Sequence, residues 1–319
     1  FHYFMNILVT GGAGYVGSVT IPELVNSGHN VKCLDRFFFG IDYLSQKQFE
    51  NKVELIKDDI RWFDPKILDE VDVVIDLAAL SNDPVGDLDP AKTYEINHLG
   101  RARGSKLSKE RGVSRYILAS SASIYGQQEE VVDENAAIKP LTAYSKANRK
   151  AEESALPLND DSFTVTALRF SSVYGISPRM RFDTAVNVMV LDLFNKGKIT
   201  VRGQGNKRPF VHILDVARAY EIVINASKEK IGGQIFNVGS DEQNYEMGQL
   251  AKEITDGVGE ECQLELEDSP DHRSYAASFK KIRETLNFVP NYTVKQGAKE
   301  IHDALKSEIL KDSKKTRTV

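Results

Sequence analysis

The stretch TGGAGYVG, residues 10–17, decides the fold of this chain. It follows an apolar run at 7–9 that is typical of a buried parallel strand, and it precedes a helical pattern that ends at Gly28. A second apolar run, 31–34, is closed by Asp35. A strand, a glycine-rich turn, a helix, a strand and an acid in this order predict a dinucleotide-binding unit.

Each residue of this unit has a physical role toward a dinucleotide. Gly11 allows a tight turn, Gly14 allows the backbone to approach a pyrophosphate, and Gly17 lets the helix pack closely on the strand. Asp35 can accept hydrogen bonds from both adenosine ribose hydroxyls and would repel a 2′-phosphate, which favours NAD over NADP. The predicted cofactor contacts here are Gly11, Gly14, Tyr15, Val16, Gly17 and Asp35.

Composition excludes several classes of protein. The chain has 319 residues, 41% of them hydrophobic, so it can build a sizeable core in one large domain or two intimate ones. A net charge of −5 argues against a nucleic-acid partner, and the absence of a long apolar window predicts no membrane span. Two distant cysteines, Cys33 and Cys262, indicate free thiols in a reducing, cytoplasmic setting. No cluster has metal-ligand spacing, so we expect no metal.

Further cofactor contacts are expected at the carboxyl ends of later strands. Arg36 could cover the adenine or meet a 2′-phosphate, which weakens the preference for NAD without reversing it. An acid followed by an aliphatic residue, Asp59-Ile60, suits the adenine amino group and face. Small residues in Leu77-Ala78-Ala79 leave room for a cofactor, because ligands of open α/β sheets bind there.

The pattern between these motifs predicts several local structures. Residues 82–90 are rich in Asp, Gly and Pro and are predicted to be a loop. A helix is predicted at 91–111, with Asn97 in its middle as a candidate hydrogen-bonding residue under the site. Asp215 is predicted to cap a helix at 216–226, and the charged tail at 311–319 is predicted to be frayed.

Together these motifs resemble the extended short-chain dehydrogenase/reductase superfamily, in its NAD-dependent nucleotide-sugar epimerase/dehydratase branch. The resemblance runs over about 5–305. It rests on the stretches already described and on SSASIYG (120–126), Tyr144, Arg169, VYG (173–175), RPFVH (208–212), Asp215, NVG (237–239) and Arg273.

The resemblance implies a Rossmann-type doubly wound parallel sheet and a smaller C-terminal α/β part that binds substrate. The cofactor domain would span 5–171 with parts of 208–240, the substrate part 172–207 and 241–305, and the tail 306–319. It further implies a nucleoside diphosphate sugar as substrate. It also implies a homodimer built from the helix after Asn97 and the helix that bears Tyr144.

The resemblance also implies catalytic residues. Tyr144 matches the base that removes a hydroxyl proton from the sugar, and Ser121 matches the residue that hydrogen-bonds the same oxygen. The family usually has a lysine four residues after the tyrosine, where this chain has Asn148. Three interpretations are open: a lysine such as Lys146 reaches in, the enzyme runs on Tyr144 and NAD alone, or the protein only binds its ligands.

The resemblance also limits the possible reactions and names candidate residues that contact the substrate. Family dehydratases carry an acid pair where this chain has Ala122 and Ser123, so dehydration is disfavoured. A 4-epimerase and a C4 dehydrogenase or ketoreductase both remain open. Asp76 stands where a histidine is common and could be structural. The other residues implied for the site are Ser120 and Asn148 toward the cofactor, and Ser81, Ser123, Ser172, Arg179, Arg181, Arg208 and Arg273 toward the substrate.

Overall fold

A seven-stranded parallel sheet forms the centre of the protein, seen in a computed structural model that describes residues 4–318. Its strand order is β10-β6-β5-β4-β1-β2-β3, and every neighbouring pair is parallel. The strands are β1 (Asn6–Thr10), β2 (Asn30–Asp35), β3 (Val53–Lys57), β4 (Val73–Asp76), β5 (Arg115–Ser121), β6 (Thr164–Phe170) and β10 (Gln234–Val238).

Helices cover both faces of this sheet. On one face, Ile21 of α1 (Gly17–Asn26) and Val216 of α7 (Ile213–Asn225) pack in one apolar cluster with Ile7 and Val9. The opposite face carries α4 (Arg101–Glu110) and α5 (Ala143–Ala155), and there Ala151 packs in a cluster with Leu8. Strands buried on both faces and a strand order that reverses beside β1 define a doubly wound α/β fold, so the predicted fold class is confirmed.

A smaller α/β part contains its own apolar core. It has a three-stranded sheet in the order β11-β9-β7 and a parallel pair β12-β8, packed with three helices. The elements are β7 (Ser172–Tyr174), α6 (Ala185–Lys196), β8 (Lys198–Arg202), β9 (Lys207–His212), β11 (Asn244–Glu246), α9 (Met247–Val258), β12 (Gln263–Glu267) and α11 (Val294–Lys306). Two short helices, α8 (Lys228–Ile231) and α10 (Lys280–Leu286), were not predicted.

The predicted loop at 82–90 is wrong, because it contains helix α2 (Asp83–Leu88). The Asn82 side chain accepts a hydrogen bond from the Val85 N–H at 2.9 Å, so the polar residues that suggested a loop cap a helix instead. The predicted helix at 91–111 is α3 (Pro90–Tyr94), a π-helical segment (Glu95–Gly100) and α4. Asn97 lies in the π segment, fully buried, and bonds both backbone groups of Leu80.

The predicted cap of α7 is wrong. His212, not Asp215, caps α7, and its Nδ1 accepts the Leu214 N–H at 3.2 Å. Asp215 is buried and accepts the backbone N–H groups of Asn291 and Tyr292, so it ties α7 to the chain before α11.

The tail up to residue 318 is not frayed. The Phe182 N–H donates to the Thr316 carbonyl at 2.8 Å, and the Thr318 N–H donates to Asp183 at 2.8 Å. None of the helices between residues 4 and 318 is long and apolar enough to span a membrane. The division into a cofactor domain and a substrate part at the stated boundaries stays a prediction.

Candidate active site

A cleft of about 1050 Å³ lies at the carboxyl ends of β1, β4 and β5. Parallel strands that end at one edge bring together residues distant in sequence, and the reversal of strand order beside β1 opens a crevice there. The cleft brings together every predicted site residue except Asn97. They are Gly11, Gly14, Tyr15, Val16, Gly17, Asp35, Arg36, Asp59, Ile60, Leu77, Ala78, Ala79, Ser81, Ser120, Ser121, Ser123, Tyr144, Asn148, Ser172, Arg179, Arg181, Arg208 and Arg273.

The glycine turn brings β1 against the end of β4. Gly11 has φ +67°, and a Cβ there would lie 2.8 Å from the backbone of Ala78. Its N–H donates to the Leu34 carbonyl at 2.7 Å. Only glycine fits this position, so the turn stays tight and the first helix starts at the cleft. The Tyr15 hydroxyl donates to the Gly175 carbonyl at 2.7 Å, which ties the turn to the smaller α/β part.

Asp35 anchors the backbone that surrounds the predicted adenosine site. Its two carboxylate oxygens accept the N–H groups of Ala13 at 3.0 Å and Phe37 at 2.7 Å. Burial raises the pKa of the Asp35 carboxyl, and these two hydrogen bonds oppose the rise. A carboxylate has about four acceptor positions, so Asp35 can still accept ribose hydroxyls.

The Asp59 carboxylate is occupied by two arginines. Arg36 donates to it at 2.5 Å and Arg61 at 2.9 Å, while Arg36 also lies over the Phe38 ring at 5.0 Å. Burial alone would raise the pKa of Asp59, but the hydrogen bonds from Arg61 and Arg36 outweigh it and hold the pKa at about 2. Arg36 is therefore directed toward Asp59 and Phe38 in this structure.

Tyr144 lies in the first turn of α5. Thr142 caps this helix by accepting the Ser145 N–H at 3.1 Å, which fixes the direction in which the first turn leaves the loop. Gly86 of α2 packs directly on the tyrosine, since a Cβ at Gly86 would lie 2.8 Å from the Tyr144 Cβ. Ser121 ends β5, and its Oγ accepts the Ser123 N–H at 3.1 Å.

Several charged and polar groups act on the Tyr144 hydroxyl. Burial raises its pKa, and the Asp83 carboxylate adds to the rise. The Asn148 amide and the guanidinium groups of Arg101 and Arg181 oppose it. The raised pKa keeps the Tyr144 hydroxyl protonated at neutral pH in the protein alone, and the balance of these neighbouring charges controls how far the pKa is raised.

No lysine of α5 replaces the usual family lysine. Lys146 and Lys150 are both exposed, and neither borders the cleft. The interpretation in which Lys146 reaches in is therefore wrong, because a helix turns a residue two positions after Tyr144 to the opposite side. The buried residue four positions after Tyr144 is Asn148, and its oxygen accepts from Arg101 at 3.1 Å.

Ser120 is engaged behind the cleft. Its Oγ donates to Glu152 at 2.6 Å, and Glu152 also accepts from Arg169 at 2.7 and 2.9 Å. Both charged side chains of this pair are 4% exposed. The pair joins α5 to β6, so Ser120 supports the position of the helix that bears Tyr144.

The predicted diphosphate-binding arginines are paired with carboxylates. Asp271 accepts from Arg208 at 3.1 Å and from Arg273 at 2.9 Å, and Arg273 also contacts Asp83. Burial alone would raise the pKa of Asp271, but the two arginines lower it to about 2. A diphosphate at this position would compete with Asp271 and Asp83 for the same N–H groups.

The two other candidate arginines, Arg179 and Arg181, have different partners in the cleft. The Arg179 guanidinium stacks on the Phe39 ring at 3.6 Å, and burial together with the neighbouring Arg181 lowers its pKa to about 10. Arg181 donates to Asp183 at 2.8 Å and to Ser81 at 3.2 Å. One Arg181 nitrogen is buried without a partner among residues 4–318.

Sequence reasoning missed four residues of this site. Asp83 and Gly86 fell in the predicted loop, and Asp271 in a segment without a motif. Arg101 fell in a polar helix, where an arginine is usually solvated, yet it is 2% exposed. The signal that could have identified Arg101 is the pair of departures at Asp76 and Asn148. An acid and an amide replace two basic residues there, so a different cation must supply the positive charge.

A family model matches most of this chain. The model of the NAD dependent epimerase/dehydratase family matches residues 7–239. The chain belongs to this family. The family is NAD-dependent, which agrees with the predicted cofactor. Within residues 4–318, no group of three His, Cys, Asp or Glu side chains could hold a metal ion.

Similar proteins have related but different activities. A putative UDP-glucose 4-epimerase of Methanocaldococcus jannaschii is 29% identical over 94% of this chain and 98% of its own. UDP-glucuronic acid decarboxylase 1 of Arabidopsis thaliana is 28% identical over 97% of this chain and 71% of its own. A UDP-glucuronic acid 4-epimerase of Bacillus cereus, solved with UDP-glucuronic acid and NAD, is 23% identical with a TM-score of 0.85, over 95% of this chain and all of that one.

The cleft fits the family cofactor. A Cβ at Gly14 would meet only the Gly11 carbonyl oxygen, at 3.2 Å, so this side of the turn is open for a pyrophosphate. The Asn148 Nδ2 group is buried without a partner among residues 4–318 and can donate to a ribose hydroxyl. Gly11, Gly14, Asp35 and Asn148 are therefore the residues that would hold NAD.

Proposed function

We propose that this protein is a nucleotide-sugar 4-epimerase that uses NAD. One observation carries the proposal: Tyr144 and Ser121 border the same cleft as the glycine turn and the arginines Arg208 and Arg273. A base, a hydrogen-bonding hydroxyl, a dinucleotide site and cations for a diphosphate are the groups that this reaction requires. UDP-sugars are the first candidates, because the relatives described above are named for them.

The side chains have separate tasks in the mechanism. NAD, when bound, supplies the hydride acceptor and donor. Tyr144 removes the proton from the sugar hydroxyl and returns it after the keto-sugar has rotated in the site. Ser121 hydrogen-bonds the same oxygen and holds it near the tyrosine. Arg208 and Arg273 bind the diphosphate, which keeps the nucleotide in place while the sugar rotates.

The residues after Ser121 support epimerisation over elimination of water. Position 122 is an alanine and position 123 a serine, 1% and 3% exposed, so neither side chain supplies an acid or a base. Elimination needs an acid and a base placed on the sugar beyond the tyrosine. Oxidation and re-reduction at C4 need bound NAD, a base such as Tyr144 and no further acid on the sugar.

We also propose a homodimer. Leu99, which follows Asn97 in the π segment, is 50% exposed, and Tyr94 at the end of α3 just before it is 44% exposed. Exposed apolar side chains that lie together mark interaction surfaces, whereas single ones are normal, so the proposal depends on these two side chains forming one patch. Analytical sedimentation measures the molecular mass of the unchanged protein and of Leu99→Asp. We expect a dimeric mass for the unchanged protein and a monomeric mass for the variant. A monomeric mass for the unchanged protein would contradict the proposal.

The experiment that tests the function uses the purified NAD-bound protein. It is incubated with UDP-, GDP-, CDP- and dTDP-sugars while nicotinamide absorbance and the stereochemistry of the product are followed. We expect one pair of C4 epimers to interconvert without net NADH. Accumulation or consumption of NADH would replace the proposal with a dehydrogenase or ketoreductase.

Two variants complete the test. Tyr144→Phe should lower turnover by about 10²–10⁴-fold, the usual contribution of a general base, while sugar nucleotide binding is retained. Tyr43→Phe, a half-buried tyrosine outside the cleft, is the matched control. Binding of a sugar nucleotide without turnover by the unchanged protein would show a ligand-binding protein instead.

A further inference from the structure

Two departures from the family pattern meet at one buried side chain. Asp76 stands where a histidine is common, and Asn148 stands where the lysine is expected. The Arg101 guanidinium donates from Nε to Asp76 at 3.1 Å and from Nη1 to Asn148 at 3.1 Å. Asp76 ends β4, Arg101 begins α4 and Asn148 lies in α5, so only the folded chain brings these three side chains together.

The Arg101 guanidinium is held rigidly. Its Nη2 group donates to the backbone carbonyls of Asp76, at 3.0 Å, and Ala119. The Asp76 carboxylate is fixed in turn by the Thr10 hydroxyl at 2.8 Å and by Tyr116. Four hydrogen bonds to residues of β4, β5 and α5 leave this cation no freedom to move to solvent.

Arg101 determines the orientation of the Asn148 amide. A guanidinium has donors and no acceptor, so the amide must turn its oxygen toward Arg101. The Nδ2 group is then directed away from Arg101, and it has no partner among the described residues. Asn148 lies one helical turn after Tyr144, so this donor faces the region that the family lysine would fill.

The charge of Arg101 reaches the cleft. Arg101 borders the cleft whereas its counterion Asp76 does not, so the positive end of the pair is the nearer one. The groups that act on the Tyr144 hydroxyl from the surrounding elements are Asp83 of α2, Arg181 of the loop before α6, and Arg101 with Asn148. Tyr220 of α7 is a further titratable neighbour of this group.

We propose that Arg101 is the positioning residue that replaces the family lysine. It holds the Asn148 amide with its donor toward the cleft, and its positive charge stabilises the phenolate of Tyr144. Asp76 is the counterion that makes a buried guanidinium possible at this place. The arrangement rests on the proposed role of Tyr144 as the base.

The test measures the titration of Tyr144 directly. Tyrosinate absorbance of the NAD-bound protein is followed against pH, and the same curve with Tyr144→Phe is subtracted. Arg101→Gln should shift the Tyr144 titration to higher pH by about one unit or more, the usual effect of removing a neighbouring charge. Arg103→Gln is the matched control, because Arg103 lies on the same helix but faces Phe63.

A rescue variant separates charge from a merely structural role. Arg101→Gln/Asn148→Lys returns a cation to the family position, so its Tyr144 titration should move back toward that of the unchanged protein. Asp76→Asn/Arg101→Gln removes both charges and gives a folded version of the test if Arg101→Gln alone does not fold. Unfolding curves confirm that each variant compared is folded.

The outcomes are distinct. An unchanged Tyr144 titration in a folded variant without Arg101, or a shift that the lysine at 148 does not reverse, overturns the proposal. The titration needs no sugar. If no sugar nucleotide is turned over while the removal and the rescue still move the Tyr144 titration, the proposed function fails and the role of Arg101 stands.

Discussion

Gly86 lies against Tyr144 so closely that a methyl group on Gly86 would be 2.8 Å from the tyrosine Cβ and 3.0 Å from its backbone nitrogen. Carbon atoms in contact are usually at least about 3.5 Å apart, so the two helices could not keep their present separation. The absence of a side chain at 86 therefore places the tyrosine.

We expect Gly86→Ala to lower kcat strongly while it lowers the free energy of unfolding only moderately. Overpacking a close contact costs about 1–3 kcal/mol, and part of this cost is met by a shift of Tyr144. Turnover and urea unfolding of the same preparations measure the two effects. Gly205→Ala is the control, because a Cβ there would meet no atom within 4 Å. Equal turnover of both variants would contradict this prediction.

The buried pair of Glu152 and Arg169 predicts that neutralising Glu152 lowers the free energy of unfolding much more than neutralising its neighbour Glu153. Glu152→Gln leaves the Arg169 charge buried without its counterion, which costs about 3–5 kcal/mol. Glu153→Gln removes a carboxylate that is 45% exposed and paired on the surface, which costs about 0–1 kcal/mol. Urea unfolding compares the two variants, and similar losses would refute the assigned role of the pair.

Asp35 should decide between NAD and NADP. In Asp35→Asn the carboxylate no longer repels a 2′-phosphate and accepts ribose hydroxyls less strongly. We expect affinity for NAD to fall by about 10–100-fold, the value of hydrogen bonds to a charged group, and the preference over NADP to narrow. Titration of the apo protein with both dinucleotides measures this. Asp42→Asn, an exposed acid outside the cleft, should leave both affinities unchanged.

The low pKa of Asp59, about 2, predicts a stability term that is lost in acid. A carboxyl whose folded pKa lies below its unfolded value of about 3.9 stabilises the fold fully above that value and loses this contribution as pH falls. The difference in unfolding free energy between the unchanged protein and Asp59→Asn should therefore shrink by up to about 2 kcal/mol between pH 5 and pH 2. A difference independent of pH would contradict the two ion pairs of Asp59.

The sequence by itself determined the parts that depend on local patterns. Buried apolar runs, the turn at 10–17 and Asp35 predicted the parallel sheet, which the structure confirms, and the position of a dinucleotide site, because a strand followed by glycines and a helix has few alternative folds. Tyr144 and Ser121 were found because they stand inside recognisable motifs. The helix α2 was missed because Asn82 and its neighbours suit a loop and a helix cap equally well.

Only the tertiary structure decided what surrounds Tyr144. Arg101 and Asn148 are 47 residues apart, and no local rule distinguishes a buried arginine from a solvated one in a polar helix. The pairing of Asp271 with Arg208 and Arg273, and the docking of the tail on Phe182, depend on the same kind of long-range contact. A charge is stable inside a protein only when partners from distant segments converge on it, and that convergence exists only in the folded chain.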